Sequence, residues 1–113
     1  MKYPGNESLP AYDTVKRKKG DHMKQYLLGI DIGTSACKIA VFDADGSVLA
    51  TGNGDYNVYY PHLGWAEQNP EEWWAAVCTA IKETLEKGKI KATDIAGIGI
   101  DGQSWSSIPM GKD

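Results

Sequence analysis

From Gln25 onward the chain alternates short apolar runs with turn-forming residues. Tyr26-Leu27-Leu28-Gly29-Ile30 is an apolar run that ends at Asp31 and passes into Ile32-Gly33-Thr34-Ser35, which reads as a strand entering a tight turn. Cys37 to Phe42 alternates in part and is closed by Asp43-Ala44-Asp45-Gly46, after which Ser47 to Gly52 supplies a third short run. Three strands joined by two tight turns predict an antiparallel meander. Residues 53 to 68 carry Tyr56, Tyr59, Tyr60 and Trp65 among Pro61 and Gly64 without a helical period, and the pattern predicts an ordered, extended connection.

A helix follows with a well-marked start. Asn69 can cap it, Pro70 fits the first helical position, and Glu71 and Glu72 complement the amino-terminal dipole. The pattern predicts a helix from Pro70 to about residue 87, with Trp74, Val77, Cys78, Ile81 and Leu85 on one face. Glu72, Thr79, Lys82, Glu83 and Glu86 occupy the other face, and Gly88 suits termination. Ile95-Ala96-Gly97-Ile98-Gly99-Ile100 is nearly continuous in apolar and small residues, which predicts a strand buried on both faces and ending at Asp101-Gly102-Gln103. The order is β-β-β-α-β, and the helical crossover is expected to return the last strand parallel to the first.

Residues 1 to 22 differ in texture. Pro4, Gly5, Asn6, Pro10 and the basic run Lys16-Arg17-Lys18-Lys19 carry no periodicity, so this stretch reads as a disordered leader or a misassigned start, with Met23 the natural beginning of the domain. A formal net charge of −3 and an ordinary charged fraction of 24% give no nucleic-acid surface, and no apolar stretch approaches the roughly 20 residues of a membrane span. Cys37 and Cys78 lack metal-ligand or disulfide-scaffold spacing and read as small buried hydrophobes in a reducing compartment. The expected location is the cytoplasm. His22 and His62 have no partner at ligand spacing.

The segment with most chemistry is Gly29-Ile30-Asp31-Ile32-Gly33-Thr34-Ser35, where a carboxylate at a strand end meets a glycine turn with two hydroxyls. Gly33 lets the backbone approach an anion closely, and successive amides with the Thr34 and Ser35 hydroxyls can hold phosphate oxygens. Asp31 can orient hydrated Mg²⁺, and Lys38 is close enough in sequence to reach the same anion. The same residues also serve a plain hairpin turn in which Asp31 and Thr34 only satisfy backbone groups.

Four segments together go further. The opening Gly-Ile-Asp-Ile-Gly-Thr-Ser, the Phe42 to Gly46 turn, Gly64-Trp65-Ala66-Glu67-Gln68-Asn69-Pro70-Glu71-Glu72-Trp73-Trp74, and Ile98-Gly99-Ile100-Asp101-Gly102-Gln103 occur in an order and spacing that resemble the FGGY family of carbohydrate kinases. The resemblance runs from about Tyr26 to about Pro109 and looks most like xylulokinases. It implies an α/β chain with the actin-like ATPase, ribonuclease-H-like fold, residues 23 to 113 being the amino-terminal portion of the first domain. It further implies transfer of the ATP γ-phosphoryl group to a sugar hydroxyl, D-xylulose foremost, with ATP and Mg²⁺ as cofactors; a homodimer is compatible with it.

Carried over by position, Asp31 matches the family's metal-orienting Asp, acting on Mg²⁺ through water, and Gly33, Thr34, Ser35 and Lys38 match its first phosphate-contact segment. Gln103, Ser104 and Trp105 match the sugar-contact turn. Xylulokinases usually read Gln-Met-His-Gly there, whereas this chain reads Gln-Ser-Trp-Ser, which keeps ribulose, gluconate and glycerol open as acceptors. The resemblance places the general base and the adenine-binding half beyond Asp113, so no catalytic base is expected within the chain, and the chain alone is expected to be inactive and marginally stable.

Alternatives stand beside this reading. Asp31 and Asp101 both end strands expected to be neighbours, the arrangement in which ribonuclease-H-like nucleases gather two metals. A non-catalytic actin-like nucleotide-binding module shares the fold. Trp73 and Trp74 are expected to pack against the sheet, and Trp65 and Trp105 stand between packing and sugar stacking. Glu67 and Gln68 are expected to make ordinary loop hydrogen bonds, with a part in positioning the sugar-site loop as the alternative.

Overall fold

The computed structural model describes residues 25–104, 106–109 and 111. The expected leader over residues 1–22, Met23 and Trp105 lie outside the described residues. The elements are β1 (Tyr26–Ile32), β2 (Ala36–Phe42), β3 (Val48–Asp55), α1 (Pro70–Gly88) and, after a single 3₁₀ turn at Ala92–Asp94, β4 (Ile95–Gly102). The sheet order is β3-β2-β1-β4, with β1 antiparallel to β2, β2 antiparallel to β3, and β4 parallel to β1. The meander and the parallel return are as the pattern predicts.

Alternation sets the faces. Leu28 and Ile30 of β1 stand opposite Val41 and Ile39 of β2, and all four are buried, as is Cys37. Each such aliphatic side chain contributes roughly 1.5–3 kcal/mol on burial. α1 packs on β2 and β3 over this face. The fit with β3 depends on glycine: a Cβ on Gly54 would lie 2.8 Å from the Ala76 carbonyl oxygen, and one on Gly52 would clash with Thr84 Oγ1.

That close approach turns the helix away from its expected orientation. The buried stripe is Val77, Ala80 and Thr84, with Trp73, Ala76, Ile81 and Leu85 packed beside it, whereas Trp74 is 68% exposed. Small residues face the glycines of β3, where an indole has no room. Thr84 tolerates burial because its hydroxyl donates to the Ala80 carbonyl at 2.6 Å. Cys78 is only half-buried, while Cys37 is fully enclosed.

The start of α1 forms as expected: Asn69 Oδ1 accepts from the Glu71 N–H at 3.0 Å, with Pro70 in the first turn. The end differs. Gly88 is the last helical residue, and Lys89, not Gly88, takes the left-handed cap with φ 53°. The Lys89 N–H donates to the Glu86 carbonyl at 3.0 Å and the Ile90 N–H to that of Leu85 at 2.9 Å, a Schellman ending. Gly88 serves contact instead, since a Cβ there would come within 2.9 Å of Ala50 Cβ.

Two strand expectations change. β3 continues past Gly52 to Asp55 because its ladder with β2 persists to the pair Ala36 and Asp55. β4 is not buried on both faces: Ile98 is 60% and Ile100 70% exposed. They lie on the same face as Leu28 and Ile30, but α1 covers β2 and β3 rather than β4.

Candidate functional site

The turn between β1 and β2 is tight. The Gly33 N–H donates to the Ala36 carbonyl at 3.0 Å, leaving Thr34 and Ser35 exposed at the tip. A Cβ on Gly33 would sit 3.1 Å from that carbonyl oxygen. The carbonyls of the turn are held from one direction by the connection between β3 and α1. The Tyr56 hydroxyl donates to the Gly33 carbonyl, Gln68 Nε2 to that of Thr34 at 2.6 Å, and the Tyr56 N–H to that of Ser35 at 3.2 Å.

Strand register assembles a polar row beneath the turn. Asn53, Lys38, Asp31 and Asp101 stand side by side on β3, β2, β1 and β4, and all are exposed. The next row is small: Thr51, Ala40, Gly29 and Gly99. An open concavity of ≈ 1190 Å³ takes in Asp31, Lys38, Asn53, Gly99 and Asp101 and extends to Glu83, Thr84 and Lys87 of α1. Asp31 therefore has a cation on one side and a second carboxylate on the other. The Gln103 N–H donates to the Ile32 carbonyl at 3.0 Å, which draws Gln103 and Ser104 to the same sheet end as the Gly33 turn.

The expected site residues Asp31, Gly33, Thr34, Ser35, Lys38, Gln103 and Ser104 thus gather at one end of the sheet, and Trp105 lies outside the described residues. An exposed carboxylate pair beside hydroxyls and turn amides is an all-oxygen and N–H donor set, which fits a hydrated Mg²⁺ and an anion rather than a thiophilic metal. Among the described residues there is no group of three or more side chains placed to hold a metal by themselves.

Tyr56 and Gln68 are the residues that sequence reading did not attach to the turn. Gln68 does make the loop hydrogen bonds expected of it, but its partners, 34 and 11 positions away, carry no local sequence signal. The connection is itself anchored to the start of α1. The Asn57 N–H and Nδ2 donate to Glu72 at 3.2 and 3.3 Å, and the Tyr59 hydroxyl also donates to Glu72. These bonds, that of Tyr59 first, hold the Glu72 carboxyl below its ordinary value, and the bond to Glu72 pushes the Tyr59 phenol up against the lowering effect of Asn57. Burial, then Cys37 and Asp31, raises the Tyr56 phenol. Trp65 is exposed, edge-on to His62 with ring centroids 5.1 Å apart, whereas Trp73 packs on Tyr56 at 6.1 Å.

Comparison with known proteins shows the family and the fold. A glycerol kinase of Thermococcus gammatolerans is 36% identical over 91 residues, covering 80% of this chain and 18% of the relative. The crystal structure of a xyloylose kinase from Brucella ovis superposes with TM-score 0.66 at 36% identity over 69% of this chain and 16% of that one. A gluconate kinase from Lactobacillus acidophilus follows with TM-score 0.64 at 30% identity over 71% of this chain and 16% of that one. The chain therefore spans less than a fifth of the length of these proteins. Its four-stranded mixed sheet with α1 is that of the actin-like ATPase fold. Residues 26–113 match the amino-terminal domain of the FGGY family of carbohydrate kinases, and the chain belongs to that family.

Proposed function

We propose that the full-length protein transfers the γ-phosphoryl group of ATP to a hydroxyl of a small sugar, D-xylulose foremost, and that this segment supplies its first phosphate-binding turn. The observation that carries the reading is the convergence of Asp31, the Gly33-Thr34-Ser35 turn and Gln103 at one sheet end. Phosphoryl transfer depends mainly on positioning and on charge placed where the phosphoryl oxygens lie. The amides and hydroxyls of Thr34 and Ser35 are placed to receive phosphate oxygens, Lys38 adds positive charge, and Asp31 would hold hydrated Mg²⁺. Bound Mg²⁺ would neutralise phosphate charge. Gln103 and Ser104 bond acceptor hydroxyls.

D-xylulose is favoured by the Gly64 to Trp74 segment and by the similarity to the Brucella ovis kinase. Glycerol is the second reading, favoured by the curated glycerol kinases at 33–42% identity. The test is ADP release by the full-length protein with D-xylulose, ribulose, gluconate and glycerol. The expected result is the highest kcat/KM with D-xylulose; a preference for glycerol replaces the acceptor, and no stimulation by any of the four sinks the kinase reading.

A further inference from the structure

We propose that Tyr56 and Gln68 are positioning residues for the phosphate turn, so that the connection between β3 and α1 sets the direction in which the turn offers its amides. The role in catalysis rests on the kinase reading above; the geometry does not. In a planar trans peptide the C=O of one residue and the N–H of the next point in opposite directions. Fixing the carbonyls of Gly33 and Thr34 toward the connection therefore fixes the N–H groups of Thr34 and Ser35 away from it, on two residues that are exposed. Successive N–H groups aimed to one side make an anion cradle.

The residue types suit the task. Gln68 Nε2 meets two carbonyl oxygens, of Thr34 at 2.6 Å and Asn57 at 3.3 Å, and only a group with two N–H donors satisfies both. A carboxylate of the same length would present like partial charge to both. Tyr56 contributes its backbone N–H and its hydroxyl to the turn while its buried ring rests on Trp73. The connection is seated in turn by paired hydrogen bonds between Tyr59 and Glu67, 2.7 and 2.8 Å, and by Asn57 and Tyr59 on Glu72. The turn is thus tied to the first turn of α1 rather than left as a free hairpin tip.

The test pairs two conservative variants, Tyr56→Phe, which keeps the ring, and Gln68→Met, which keeps the length. Amide order parameters of Thr34 and Ser35 are measured by NMR, and kinetics by ADP release, both on the full-length protein. The expected result is a fall at Thr34 and Ser35 from rigid values of about 0.85 to below about 0.6, with the amides of Ala80 to Leu85 unchanged. In the full-length protein kcat falls about tenfold while KM for the acceptor sugar stays constant. Unchanged order at the turn in both variants overturns the proposal, as does a loss shared equally by α1, because the residues would then hold the domain and not the turn. A loss of order without a change in kcat overturns the positioning role. Loss of order in a protein that phosphorylates no sugar leaves the brace standing and removes the kinase reading.

Discussion

Lys89 adopts φ 53° and ψ 39° at the end of α1, where a side chain crowds the backbone by about 1–2 kcal/mol and glycine does not. Lys89→Gly is expected to raise stability by about 0.5–1 kcal/mol after the entropy of the freer unfolded chain is subtracted, read as a higher denaturant midpoint at constant slope. Asp31 has a different kind of importance. Asp31→Ala in the full-length protein is expected to lower kcat by roughly 100-fold or more with little change in acceptor KM, since a misplaced metal damages the transition state more than sugar binding; an effect confined to KM would contradict the role.

Glu72 belongs to the same scale. Its folded pKa is lowered from 4.5 by Tyr59 and Asn57, so its contribution to stability is present above pH 4.5 and is lost as pH falls through the lower folded value. A carboxyl NMR titration is expected to give a midpoint below 4.5 and to move upward in Tyr59→Phe. Tyr56 runs the other way: raised above 10.0, it stabilises below that pH and loses its contribution as alkali deprotonates the folded phenol.

At the scale of the element, the contact between α1 and β3 is a backbone contact, and the glycines make it so. Gly54 has an ordinary backbone, but a Cβ there would lie 2.8 Å from the Ala76 carbonyl oxygen. A carbonyl inside a helix cannot swing aside as a flexible side chain can, so Gly54→Ala is expected to cost about 1–3 kcal/mol through overpacking. The check is chemical denaturation of the 113-residue chain. The contrast is Gly99, with nothing within 4 Å, where Ala is expected to shift the midpoint far less.

For the molecule as a whole, β4 is the exposed margin. It pairs with β1 on one side, and among the described residues no strand pairs with its other side. Its Ile98 and Ile100 are largely exposed, so an apolar, unpaired edge faces solvent. The 113-residue chain by itself is expected to show weak hydrogen-exchange protection over residues 95 to 101 against strong protection in β2, and to aggregate. Ile98→Lys with Ile100→Lys is expected to reduce that aggregation in light scattering, because charge on an edge opposes pairing between copies. Strong protection over 95 to 101 in the unmodified chain would refute the weak edge.

The order and type of the four strands and of α1 are legible along the chain, because their signals are local: alternation in β1 and β2, the Asn69-Pro70 start of α1, and the Asp43 to Gly46 turn, in which Asp43 Oδ1 accepts from Asp45 and Ser47. The sequence by itself also marked Asp31 and the Gly33-Thr34-Ser35 turn, whose residue types are unusual enough to carry chemistry. Tertiary structure decided what depends on distant partners. Trp74 reads as core by hydrophobicity, yet the glycines of β3 select a stripe of small residues and turn it outward. Gly88 reads as a cap, yet Ala50 requires its bare Cα and the cap moves to Lys89. Gln68 reads as an ordinary loop residue, and only the folding of the connection across the sheet end brings its amide to Thr34. Hydrogen bonds between residues 34 positions apart leave no periodicity to read, because what fixes them is the path of the chain and not the pattern along it.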